Sequence, residues 1–99
     1  MNLATSGRIK EAIEVYERLK SEYPEDHEVL QDLGIAYGYA GDLSRSIENL
    51  ERAIDLQPSP VGYLNLAVAF RKEGNIEKAI EYLRLYLANP EGQSPEKIA

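Results

Sequence analysis

The single histidine of this 99-residue chain, His27, stands beside Glu25, Asp26 and Glu28, and an imidazole among carboxylates is a donor set that a metal ion could use. The set is poor. There is no cysteine and no second histidine to complete it, so the solvent-facing reading of His27 is preferred and no metal is expected. The serines have no histidine nearby in the sequence to act as a base, although pairing with one distant in the chain stays open. Ser44 and Ser46 lie early in a helical pattern, where hydroxyls commonly bond the local backbone. Gly34, Gly38 and Gly41 are not a phosphate-binding loop, because they lie along and just after a helix rather than between a strand and a helix. Of the seven tyrosines, Tyr16, Tyr37 and Tyr63 fall at core positions with the hydroxyl expected at the rim, whereas Tyr39 falls off the apolar stripe of its helix. None of these groups converges on a reaction, so the chain is read as non-enzymatic and without a cofactor.

The elements that carry these residues are helices. Leu30, Leu33, Gly34 and Tyr37 recur at spacings of three and four, on one helical face, after Asp26 as N-cap. Gly41-Asp42 breaks the run, and Asp42 is placed to accept the orphan amide hydrogens of a second helix, whose stripe is Leu43, Ile47, Leu50, Ala53 and Ile54. Gln57-Pro58 ends it. Upstream, a helix is expected from Arg8 to about Ser21, with Ile9, Ala12, Ile13, Tyr16 and Leu19 inward. Glu11, Glu14, Glu17, Arg18 and Lys20 are expected outward, Glu14 and Arg18 forming a surface pair. Gly7 is expected to separate this helix from the last turn of a preceding one. Downstream, Ser59-Pro60 starts a helix to about Lys72, with Tyr63, Leu66, Ala67 and Phe70 inward. Asn75 then caps a helix over 76–88, apolar at Ile76, Ala79, Ile80, Leu83, Tyr86 and Leu87. Asn89 to Gln93 breaks it, and Ser94-Pro95 repeats the start signal. Gly38, inside a helix at a cost of roughly 1 kcal/mol relative to alanine, implies close approach of a neighbouring helix or, alternatively, room for a ligand.

These helices repeat. Gly7 and Gly41, Ile9 and Leu43, Ala12 and Ser46, Tyr16 and Leu50, and Pro24 and Pro58 are 34 apart, while Tyr37 and Phe70, Gly41 and Gly74, Ser46 and Ala79, and Leu50 and Leu83 are 33 apart. The unit resembles the tetratricopeptide repeat, a module of about 34 residues. Leu30, Leu33, Gly34, Tyr37, Gly41, Ser46, Leu50, Ala53 and Pro58 stand where that family prefers Trp, Leu, Gly, Tyr, Gly, Ala, Phe, Ala and Pro, and the third unit has Ala67 at the packing glycine. The resemblance implies an all-α, right-handed α-solenoid of antiparallel helix-turn-helix repeats, about five helices plus a short C-terminal helical start. One domain would hold a partial repeat at 1–26, repeats at 27–60 and 61–93, and the start of a further or capping helix at 94–99. It also implies a concave groove lined by the first helix of each repeat, which here carries Gln31, Asp32, Ile35, Tyr39, Leu64, Asn65, Val68 and Arg71, with Ile35 and Val68 off the core stripe. A clamp for C-terminal carboxylates, one use of the family, is rejected. Asp32 stands in place of an asparagine, and Leu64 and Val68 stand where Lys and Arg are needed.

Composition narrows the partners. Seventeen acidic against eleven basic residues, a net charge of −6, argue against nucleic acid, whose binding rests on phosphate neutralisation. The acids Glu22, Glu25, Asp26, Glu28 and Asp32 read as a solvated turn at a helix N-terminus, with a docking patch for a basic partner as the other reading. No stretch reaches the roughly 20 apolar residues of a membrane span, and a cytoplasmic setting is expected. The function expected is binding of a peptide or helix of a protein partner in the concave groove. A self-associating structural segment and a regulatory part of a larger enzyme are the alternatives. Incomplete repeats at both ends point to weak homo-oligomerisation.

Overall fold

The computed structural model describes residues 3–88, which form five helices: α1 Leu3–Glu22, α2 His27–Ala40, α3 Leu43–Leu56, α4 Pro60–Glu73 and α5 Ile76–Ala88. The break at 89–93 and the helix start at Ser94 lie outside the described residues. Each helix packs on its neighbours in sequence, α2 on α3 and α4 on α5 most closely, and α2 touches α4 lightly. Connections this short between packed helices make them antiparallel, so the array is the expected all-α solenoid.

The reversals are built from one device used twice. Gly41 (φ 89°) and Gly74 (φ 97°) take the left-handed conformation that only glycine adopts without strain. The amide of the residue after each glycine then reaches back to a helix carbonyl, Asp42 to Tyr37 at 2.9 Å and Asn75 to Phe70 at 2.9 Å. The same two residues cap the next helix: Asp42 accepts from the Arg45 amide and Asn75 from the Lys78 amide, both at 3.2 Å. Asp26 and Ser59 cap α2 and α4 as expected, Ser59 accepting from the Gly62 amide at 2.9 Å.

Gly7 does not repeat the device. No turn forms there, and α1 runs through it as one helix. The position that is Asp42 in the next unit is Arg8, which cannot accept an amide hydrogen, so nothing ends one helix and starts another.

The core runs through α2 to α5, with Leu30, Leu33, Leu50 and Leu66 essentially inaccessible. Two glycines set the helix spacing. A Cβ on Gly34 would lie 2.7 Å from Leu50 Cγ and 3.0 Å from the Ser46 carbonyl oxygen, and one on Gly62 would lie 2.5 Å from Ile54 Cγ2. Phe70 stacks on Tyr82 with centroids 5.8 Å apart, and Tyr82 is a core aromatic that the expected α5 stripe omitted.

The outward face of α1 needs correction. Glu17 accepts a hydrogen bond from the Tyr37 hydroxyl, and Lys20 Nζ donates to Asn49 Oδ1 at 3.0 Å. Asn49, buried in α3, donates in turn to the Arg45 carbonyl at 2.8 Å. Both α1 side chains therefore point into helix contacts, because α1 packs against α2 and the long Lys20 side chain reaches α3. Among the described residues, the ion pair within reach is Arg45–Asp42 at 3.7 Å; the Glu14–Arg18 pair does not form.

Candidate functional site

A cleft of about 140 Å³ opens where α2 and α4 diverge above α3. Leu43, Ser46 and Leu50 of α3 form its floor; Ile35, Gly38 and Tyr39 of α2 form one wall, and Asn65, Val68, Ala69 and Lys72 of α4 the other. A second cleft, of about 320 Å³, lies between α1 and α2, with Arg8, Ile9, Ala12 and Tyr16 on one side and Asp32, Ile35, Ala36 and Tyr39 on the other. Ile35 and Tyr39 are the ridge between the two.

The expected groove residues are thus divided. Ile35, Tyr39, Asn65 and Val68 meet in the first cleft, and Asp32 joins Ile35 and Tyr39 in the second. Gln31 sits at the α2–α4 contact, its side-chain oxygen 3.7 Å from where a Gly62 Cβ would be. Leu64 and Arg71 are exposed on α4 and line neither cleft. Ile35 is not free of the core. It is half-buried and packs against the apolar cluster around Leu50 and Leu66 while lining both clefts. Tyr39 is 65% exposed, so its ring is surface.

Gly38 is a point of close helix approach. A Cβ there would meet Ser46 Oγ at 3.3 Å, so α3 does approach closely, and the same glycine lines the cleft. The α3 floor was missed from the sequence because Leu43 and Leu50 read as core and Ser46 as a hydroxyl serving the local backbone; the signal was there in Ser46, a hydroxyl at a buried position.

Electrostatics differ along the face. Partial burial, then the charges of Glu28 and Asp26, hold the Asp32 carboxyl above the usual range. Burial, then the hydrogen bond to Glu17, raises the Tyr37 phenol, and Arg45 lies 5.8 Å from the centre of that ring. His27 is half-buried at the first turn of α2 beside an open depression with Glu25 and Asp26. Among the described residues, no cluster of His, Cys, Asp or Glu is arranged to hold a metal ion.

A sequence profile described as tetratricopeptide repeat matches residues 32–94, and a second profile of that description matches 1–26. The chain belongs to the tetratricopeptide repeat family. Among curated relatives, this repeat protein is 32% identical to the BBSome complex member BBS4 of Bos taurus over 75 residues, which is 76% of this chain and 14% of that protein. It is 29% identical over 87 residues to the N-terminal acetyltransferase A complex auxiliary subunit NAA15 of Arabidopsis thaliana, 87% of this chain and 10% of that one. The chain thus spans a small part of the curated proteins it matches. Among solved structures, MamA superposes with a TM-score of 0.79 at 20% identity, covering 93% of this chain and 53% of that one, which shows the repeat fold. Among the described residues no helix is long and apolar enough to cross a membrane.

Proposed function

We propose that this tetratricopeptide repeat chain is a non-catalytic interaction module that holds a peptide segment of a partner protein on its concave face, with one apolar side chain of the peptide in the α2–α3–α4 cleft. The observation that carries the reading is the size and lining of that cleft. About 140 Å³ is well below the roughly 300–1,000 Å³ of small-molecule sites, yet it has room for one side chain. Its floor is apolar at Leu43 and Leu50, and its rim is polar at Asn65 and Lys72, an arrangement suited to recognition. Two relatives are named as parts of complexes, one of them as an auxiliary subunit. That second name favours, as another reading, a regulatory role beside a catalytic chain. We carry the cytoplasmic setting as part of the proposal.

The test is peptide selection on the purified protein, followed by amide chemical-shift mapping. Selected peptides are expected to move the signals of Asn65, Val68 and Lys72, and Val68→Asp is expected to abolish binding with the helical circular dichroism unchanged. Peptides that bind a folded Val68→Asp protein as well as wild type overturn the cleft as the site.

A further inference from the structure

The α2–α3–α4 cleft is graded along its length. Because α3 runs antiparallel to α4, Leu43 at the start of α3 lies level with Lys72 near the end of α4, and Leu50 lies level with Asn65. Between these two levels the lining is small. Gly38 carries no side chain where Ser46 comes near, and Ala69 stands on the facing wall. The space for an apolar anchor is therefore at the middle level, beside Val68.

Charge follows the same gradient. Lys72 is the one charged side chain among those lining the cleft, in a chain that carries 17 acidic residues against 11 basic. Arg71 and Lys72 both stand in the last turn of α4, where cations complement the helix dipole, but Arg71 is not part of the lining. Among the described residues Lys72 has no ion-pair partner, and Asp42, the acid at that end of α3, is engaged by Arg45. The acids Asp32, Glu28 and Asp26 cluster at the other end, near the start of α2.

We propose that the segment taken by this cleft is acidic: a partner peptide with a carboxylate side chain two positions from its apolar anchor, paired with Lys72. The inference rests on the peptide-binding reading above and adds the chemistry of the partner. Its spacing follows from helix geometry. Lys72 lies four residues beyond Val68, roughly 6 Å along the helix, which is about two residues of extended peptide. Alternate side chains of an extended segment point the same way, so anchor and acid face the protein together. The acid is a side chain rather than a chain terminus, because Lys72 is a single cation and its neighbours on α4, Leu64 and Val68, are aliphatic.

The probes are capped heptapeptides, acetyl-Gly-Ser-Leu-Ser-Asp-Ser-Gly-amide and its versions with Ile, Met or Phe for Leu, each also made with Lys or Ser in place of Asp, with Asp directly beside the anchor, and in reversed order. Binding is read from the amide shifts of Asn65, Val68 and Lys72. In at least one of the two orders the Asp peptide is expected to bind about twofold more tightly than the Ser peptide and about fivefold more tightly than the Lys peptide. The advantage should shrink in added salt and vanish when Asp adjoins the anchor. Lys72→Glu, at an exposed position, is expected to invert the order of Asp and Lys, and Arg71→Glu to leave it unchanged. Equal binding of Asp and Lys peptides, or a preference that survives Lys72→Glu, overturns the acidic segment. A peptide ending in Leu-Ser-Ser with a free carboxylate that binds as well as the Asp peptide overturns the side-chain assignment. Shifts of the same amides with protein concentration alone make a second copy the occupant and overturn the proposal too. Failure of the cleft itself looks different: either no peptide moves these amides, or all of them bind folded Val68→Asp as well as wild type, and both readings then fall together.

Discussion

Asp32 is the residue at which chemistry and stability are most directly linked. Its carboxyl is raised above the ordinary value of 3.8 by partial burial and then by Glu28 and Asp26. A carboxyl raised by folding binds protons more strongly in the folded state, so its contribution falls as pH rises through the folded pKa and is constant below the unfolded one. Asp32→Asn is therefore expected to raise the melting temperature at pH 7, with the gain disappearing below about pH 3.5; a melt series across that range checks the sign. Tyr37 presents the opposite case, a buried ring whose hydroxyl donates to Glu17. Tyr37→Phe should cost about 1–2 kcal/mol, the loss of a hydrogen bond to a charged acceptor. Tyr37→Ala should cost about 3 kcal/mol, because it also removes a core aromatic. Equal losses in denaturant titrations would mean that the ring packs poorly.

At the scale of elements, the glycine-plus-acceptor junction and the helix spacing decide the architecture. Asp42→Ala removes the N-cap of α3 and should cost about 1 kcal/mol. Gly62→Ala drives a methyl into Ile54 and should cost about 1–3 kcal/mol by overpacking, although glycine-to-alanine changes in a helix are otherwise favourable. Thermal melts of both variants measure this directly. Here too lies the boundary of what the chain could reveal unfolded. Helices α2 to α5, the caps at Asp26, Asp42, Ser59 and Asn75, and the buried stripes of α2 to α4 are legible because each is written in spacings of three and four and in short-range cap chemistry. The inward roles of Glu17 and Lys20 are not, because they depend on how α1 packs on α2 and on which distant side chains, Tyr37 and Asn49, come within reach, and no local pattern encodes that. The same holds for the candidate site. Tyr39, Asn65 and Val68 are named by the groove positions that the family resemblance implies, whereas the division into two clefts is a property of three helices at once.

At the scale of the whole molecule, α5 presents an apolar face that no other described residue covers: Ile76, Ile80, Leu83 and Leu87 are each 40–56% exposed, although their counterparts 33 residues earlier face α4 or the core. Weak self-association through this face is expected, and Leu83→Glu should reduce it in sedimentation runs while changing stability by less than about 0.5 kcal/mol. A wild-type protein that stays monomeric at millimolar concentration contradicts this. The packing of helices almost wholly on their chain neighbours has a mechanical consequence as well. Pulled from its two termini, the molecule has, among the described residues, no clasp joining α1 to α5, so no single bond set there bears the load. In optical tweezers it should yield as a soft spring, shedding α5 and α1 in small low-force steps and closing again as the tension is relaxed.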